Sequence, residues 1–351
     1  MNRIGAFQLA VMFCACILGA GFLSGNELWQ FFATFGIWGM LGCALSVIAI
    51  GVFCAFIAEI AVSKNTENPE EVLLPLRYRK LSSVFGILQA ILVFAIVVIM
   101  VAGSGTLVNS MTGFNKTLFA VFFCALLCAF VLLGTENIVR AFSVLIPFVV
   151  TASVIISVIL IFKSESFNIP SNSSAANPLL NNWAISAVSY ASYSVFASVG
   201  VFAAISSKIR KRSVIWKGVA LGILVMCVVS FSIIGAIYAV PNAMNNELPM
   251  LASALHLGKL SGVIYAVLLL FGMFGAALSC FMALANYLKV KLKLTKKTNT
   301  VSVITCSVLA YFGGLFGFGD LVGTVYPIFG YIGIAVFALL MAGFIKIKKN
   351  P

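Results

Sequence analysis

Ten apolar runs, most of them 20 residues or longer, follow one another along this 351-residue chain. That succession is the strongest constraint on its fold, because a run of about 20 apolar residues is what an α-helix needs to cross a bilayer. Read between polar breaks, the runs fall at approximately 5–34, 36–62, 81–110, 115–133, 140–162, 183–205, 214–239, 259–289, 299–317 and 320–345. The expected fold is therefore an all-α polytopic membrane protein of ten transmembrane helices in one domain, 1–351. Only 9% of residues are charged, against about 25% in soluble domains, which excludes a large soluble core. The short alternating segments of an outer-membrane barrel are missing. The first run lacks the short apolar region and small-residue cleavage site of a secretory signal, so it reads as the first membrane helix.

The formal charge of +13 would suit nucleic acid if the cations clustered on one soluble surface. They do not. With the N-terminus inside, 19 of the 22 Lys and Arg residues fall on the inner face, leaving Lys116, Lys163 and Lys259 outside. This is the positive-inside pattern of a cell-membrane protein with both termini cytoplasmic. Lipid bilayer, not nucleic acid, is the expected partner. The sequence sets no oligomeric state.

Two runs carry polar residues where hydrocarbon makes them costly. The first contains Leu18-Gly-Ala-Gly-Phe-Leu-Ser-Gly-Asn-Glu27; the sixth contains five serines and two tyrosines between Ser186 and Ser198, with Gly200 close behind. Breaking a helix inside a bilayer frees backbone N–H and C=O groups, so a break persists only where protein, water or a ligand satisfies them. The ten runs divide as five and five, and the second five begin on the opposite side from the first. On lengths and hydropathy this predicts two inverted repeats, 1–162 and 183–345, with helices one and six interrupted. Interrupted helices at matching places in two halves point to the binding site of a secondary transporter.

Simpler readings compete. Gly19, Gly21 and Gly25 also suit close helix packing, and the serines of helix six suit back-bonding to carbonyls. Glu27 has the sharper claim, since an ionisable residue within a span is a functional candidate by default. Its structural alternatives are the outer interface, or pairing with Asn109 or Gln89. Glu59 reads as interfacial, 102–105 equally as a packing notch or a substrate wall, His256 as a solvated loop residue, and 68–80 as a cytoplasmic connector. Glu136 and Arg140 read as residues of a short inner loop that pair with each other or with the lipid surface. No metal-ligand spacing, C-x-x-C pattern or Walker sequence occurs. An intramembrane His or carboxylate pair is missing as well, so catalysis is not expected.

Gly19-Ala-Gly-Phe-Leu-Ser-Gly-Asn-Glu27, then Gln30-Phe-Phe32 and Gly36, resembles the first-helix signature of YkvI-like membrane proteins. "YPIFGYIG" (Tyr326 to Gly333) is similar to their last helix. These proteins are placed in the amino acid–polyamine–organocation (APC) superfamily, with the LeuT-type inverted-repeat fold. The resemblance implies a small amino acid or related amine as substrate, moved by alternating access with H⁺ or Na⁺. It implies a site in which Ala20, Gly21, Ser24, Gly25 and Glu27 of helix one face Tyr190, Tyr193, Ser194 and Phe196 of helix six. Sodium-coupled relatives use a hydroxyl pair on helix eight. Here "GAALSCF" (Gly275 to Phe281) offers Ser279 without an adjacent second hydroxyl, and helix five lacks the lysine of some proton-coupled relatives. Glu27 thereby becomes the proton-carrier candidate. The competing expectation is a membrane sensor or regulatory subunit that binds a ligand without moving it.

Overall fold

The computed structural model describes residues 5–66, 68–74, 79–134, 136–165, 167–170, 177–206, 209, 212–240 and 242–349. Among them there is no strand. In chain order the helices are α1 (Ala6–Ile17), α2 (Ala20–Leu23), α3 (Asn26–Phe31), α4 (Gly36–Lys64), α5 (Pro69–Leu73), α6 (Arg79–Thr112) and α7 (Lys116–Leu133). They continue as α8 (Glu136–Lys163), α9 (Trp183–Ser206), α10 (Arg212–Ala239), α11 (Pro249–Leu257), α12 (Lys259–Lys291), α13 (Lys296–Gly314) and α14 (Phe318–Lys349).

Local chemistry sets the ends. The Asn115 side chain caps α7 by accepting from the Thr117 and Leu118 N–H groups, and Gly134 ends that helix in the left-handed region. Asn68 caps α5, whose first residue is Pro69. In both cases polar residues sit where helix termini leave backbone groups unpaired.

Among the described residues, seven helical stretches are long and apolar enough to cross a membrane. They are Asn26–Lys64, Lys80–Thr112, Lys116–Leu133, Trp183–Ala204, Arg212–Ala239, Lys259–Lys291 and Phe318–Lys348. The expectation of ten exceeds that count. The apolar part of helix one is cut to Ala6–Ile17 by a break, and the side chains of α8 before Pro147 lie outside the described residues. Helix α13 opens on Lys296 and Lys297 and carries several hydroxyls.

At the centre, α9 packs most extensively against α4 and α14, while α6 lies against α12 and α1 against α10. Glycines let α14 approach α9: a Cβ on Gly330 or Gly333 would overlap Ser189 or Ser192. The "YPIFGYIG" stretch is thus the seam on which the serine-rich helix seats.

Glu59, expected at the interface, is buried and its Oε1 accepts from the Trp216 indole N–H at 2.6 Å. Two assignments change. His256 is exposed, but in the last turn of α11 and not in a loop. The connector at 68–80 contains α5, whose Val72 and Leu73 are buried. The side chains of Glu136 and Arg140 lie outside the described residues.

Candidate functional site

The sequence between α1 and α4 leaves helical geometry twice, and each departure has a local cause. After Ile17, Leu18 takes ψ 60° and is followed by Gly19. After Leu23, Ser24 leads into Gly25 at φ +82°, a left-handed conformation that a residue with a Cβ rarely adopts. A side chain there would also crowd Ile237 and the Met250 backbone.

Every freed group with a described bond is met by a partner from elsewhere in the fold or by a neighbouring side chain. The Leu23 carbonyl accepts from the Tyr265 hydroxyl of α12 at 2.5 Å, and that hydroxyl lies 3.0 Å from Ser153 of α8. The Ser24 carbonyl accepts from the Met250 N–H of α11 at 2.8 Å. Ser24 Oγ donates to the Gly21 carbonyl at 2.7 Å. Further on, the Phe31 carbonyl accepts from Ser186 at 2.5 Å and the Ala33 carbonyl from Tyr238 at 2.7 Å. These bonds are what make the break tolerable in an apolar core.

Glu27 sits in the first turn of α3, buried. Its carboxylate turns back across the break. One oxygen lies against Gly21, where any Cβ would overlap it. The other accepts from the Tyr193 hydroxyl at 2.7 Å and from Tyr190 at 3.5 Å, both from α9. Tyr326 of α14 stacks on Tyr193 with ring centroids 4.6 Å apart, and Phe31 and Phe32 meet Tyr190 edge-on. The result is a carboxylate in an aromatic enclosure with two phenolic donors. Such a group can hold a proton or an ammonium ion, since either offsets the cost of a buried negative charge. Gln89 instead bonds the Phe196 carbonyl, and Asn109 the Phe114 carbonyl, so neither is Glu27's partner.

On one side of this group an amide ladder crosses the bundle. Gln30 Nε2 donates to Asn26 Oδ1 at 2.7 Å and to the Gly319 carbonyl at 2.9 Å. Asn177 Nδ2 donates to Gln30 Oε1 at 3.2 Å and to the Gly323 carbonyl at 2.6 Å. Pro327 explains that last bond: lacking an N–H, it leaves the carbonyl four residues earlier without its helical partner.

Of the residues expected at the site, Gly21, Ser24, Gly25, Glu27, Tyr190 and Tyr193 come together. Ala20 opens α2 beside them. Ser194 and Phe196 are buried on the same helix, but neither bonds Glu27 among the described contacts; the Phe196 ring faces Phe329 instead. Ser279 stays apart, exposed and donating to the Gly275 carbonyl. Helix six is also not interrupted, for α9 runs unbroken from Trp183 to Ser206. Its serines bond carbonyls: Ser192 that of Gly330 at 2.7 Å, and Ser198 that of Ser194 at 2.7 Å. Sequence reasoning missed Tyr265, Tyr326, Asn26 and Gln30. Three of these lay inside stretches already singled out; Tyr265 carried no local signal.

The fold is that of known membrane transporters. A crystal structure of MhsT in complex with L-phenylalanine superposes with a TM-score of 0.64 at 16% identity, covering 96% of this chain and 89% of that one. A manganese transporter mutant from Eremococcus coleocola gives 0.59 at 11% identity, covering 93% and 76%. In sequence the chain is similar over its full length to YkvI, an uncharacterized membrane protein of Bacillus subtilis (strain 168), at 24% identity across 98% of that protein. The resemblance seen in two short motifs thus spans the whole chain. No protein-family model matches it.

Proposed function

We propose that this protein is a secondary active transporter that carries a small amino acid or related amine by alternating access. The observation that carries this reading is the Glu27 carboxylate, buried at a helix break and held by the Tyr193 hydroxyl at 2.7 Å. A carboxylate buried at a helix break gains most when a proton or a cation joins it there. The fold neighbours support transport, and one of them binds L-phenylalanine. Among the described residues no three metal-ligating side chains gather, which favours an organic amine over a metal ion as cargo. The placement of Ser279 away from the break favours H⁺ over Na⁺ as the coupling ion. We take 1–162 and 183–345 as the two inverted halves, in a cell membrane with both termini on the cytoplasmic side.

The test is uptake of labelled amino acids and amines into proteoliposomes under an imposed proton gradient. Wild-type protein accumulates its substrate and Glu27→Gln does not. Equal uptake by the variant would remove Glu27 from both roles. A thermal-shift screen of the same compounds identifies the substrate beforehand, because a ligand of the native state raises its stability.

A further inference from the structure

Away from Glu27, at the cation-rich end of the bundle, a cavity of about 240 Å³ opens between α4, α10 and α14. It is lined by Glu59, Arg212, Trp216, Phe344, Ile347 and Lys348. Three helix ends build it. Phe56 of α4 stacks on Phe344 of α14 with centroids 3.9 Å apart and meets Trp216 of α10 edge-on. Glu59, one turn further along α4, fixes the Trp216 indole by their 2.6 Å hydrogen bond.

The charges are the informative part. Arg212 and Lys348 are exposed, come from different helices, and make no ion pair among the described residues; the described ion pair is Lys291 with Glu70, elsewhere. Glu59 faces them as the one acidic lining residue, already accepting the indole proton. Two cations against one engaged carboxylate leave the cavity net positive. Trp216, Phe344 and Ile347 supply apolar wall between these charges, and Met341 and Ile345 are exposed on the same helix, α14. A Trp held at the end of an apolar helix marks the headgroup level of a bilayer, and basic pockets between helices at that level suit anionic lipid headgroups.

We propose that this cavity seats the phosphate of an anionic phospholipid, with Arg212 and Lys348 on the headgroup and the acyl chains along Phe344, Ile345 and Met341. A soluble anion would satisfy the cations but gain nothing from the apolar walls, so the lipid is the occupant the whole surface fits. The proposal stands apart from the transport reading, since none of these residues touches Glu27.

Trp216 reports occupancy directly. The full chain is reconstituted in phosphatidylcholine containing either dibrominated phosphatidylglycerol or dibrominated phosphatidylcholine at equal fractions. Subtracting the Trp216→Phe variant isolates the quenching of this indole. Phosphatidylglycerol is expected to quench Trp216 preferentially, and Arg212→Gln or Lys348→Gln to lower that preference about fivefold each. Glu59→Gln, which keeps an acceptor for the indole and removes a negative charge, should raise it. Equal quenching by the two lipids, or a preference unchanged in Arg212→Gln/Lys348→Gln, overturns the proposal. So does displacement of the lipid by millimolar inorganic phosphate, which would make the occupant a soluble anion. Native mass spectrometry of the wild-type protein from mixed lipid gives a second reading independent of any variant: phosphatidylglycerol retained over phosphatidylcholine supports the site, and equal retention sinks it.

Discussion

The segment 18–36 and helix α9 place comparable polarity in the same apolar core and handle it in opposite ways. In the first, the backbone itself is opened, and its freed carbonyls are taken by Tyr265, Met250, Ser186 and Tyr238 from other parts of the chain. In α9 the backbone stays closed; Ser192 and Ser198 turn to carbonyls of α14 and of their own helix, while Ser186, Tyr190 and Tyr193 reach across to the opened segment. The difference lies less in the number of polar residues than in one conformation. Gly25 at φ +82° cannot belong to a right-handed helix, whereas serine fits one and bonds back at small cost. Opened backbone makes a site; hydroxyls on closed backbone make a seam.

Substitutions can break or sharpen that contrast. The largest effect is expected at Glu27→Gln, which should lower uptake at least about tenfold, the scale set by losing a hydrogen-bonded charged group. Near-normal uptake would mean the opened segment is not where function resides. Gly21→Ala comes next. The new methyl overlaps the Glu27 carboxylate, and overpacking of this kind costs about 1–3 kcal/mol, readable as a lower melting temperature together with weakened substrate binding. An unchanged protein would show that the carboxylate does not lie against Gly21.

Tyr193→Phe removes the 2.7 Å donor to Glu27 and should weaken substrate binding by about 1.5–3 kcal/mol, measured by titration. Tyr190→Phe removes only a 3.5 Å contact and should matter less; the reverse order would reassign the partner of Glu27. The smallest change is expected at Ser198→Ala, whose hydroxyl bonds back to the Ser194 carbonyl within α9. A shift within about 0.5 kcal/mol, by thermal unfolding, would place it with ordinary helix residues. A large loss would mean that α9, too, depends on its polar residues for more than packing.

Much of this was legible from the residues alone. Apolar length located the helices to within a few residues, because hydrocarbon admits few other solutions. Gly25 and Glu27 stood out because each is costly in a span, and the structure joins them at one break. The unbroken α9 was not legible: five serines in an apolar run look the same whether they open a helix or bond back along it. Tyr265 and Met250 were invisible as well, since what they satisfy is a backbone carbonyl more than 200 positions away, and a sequence does not display carbonyl directions. Asn177 escaped notice for a related reason, its partner being the carbonyl that Pro327 leaves open.

The long reach of those bonds has a consequence for biosynthesis. Segment 18–36 leaves the ribosome before the residues that complete it: its carbonyls wait for Ser186, Tyr238, Met250 and Tyr265, and its Gln30 for Gly319. Proteins of this kind emerge from the N-terminus onward, so this segment waits for about 300 further residues before its last polar group is covered. A chain truncated before Tyr265 would expose that debt as an aggregation-prone or rapidly degraded product, while its α-helical hairpins formed normally.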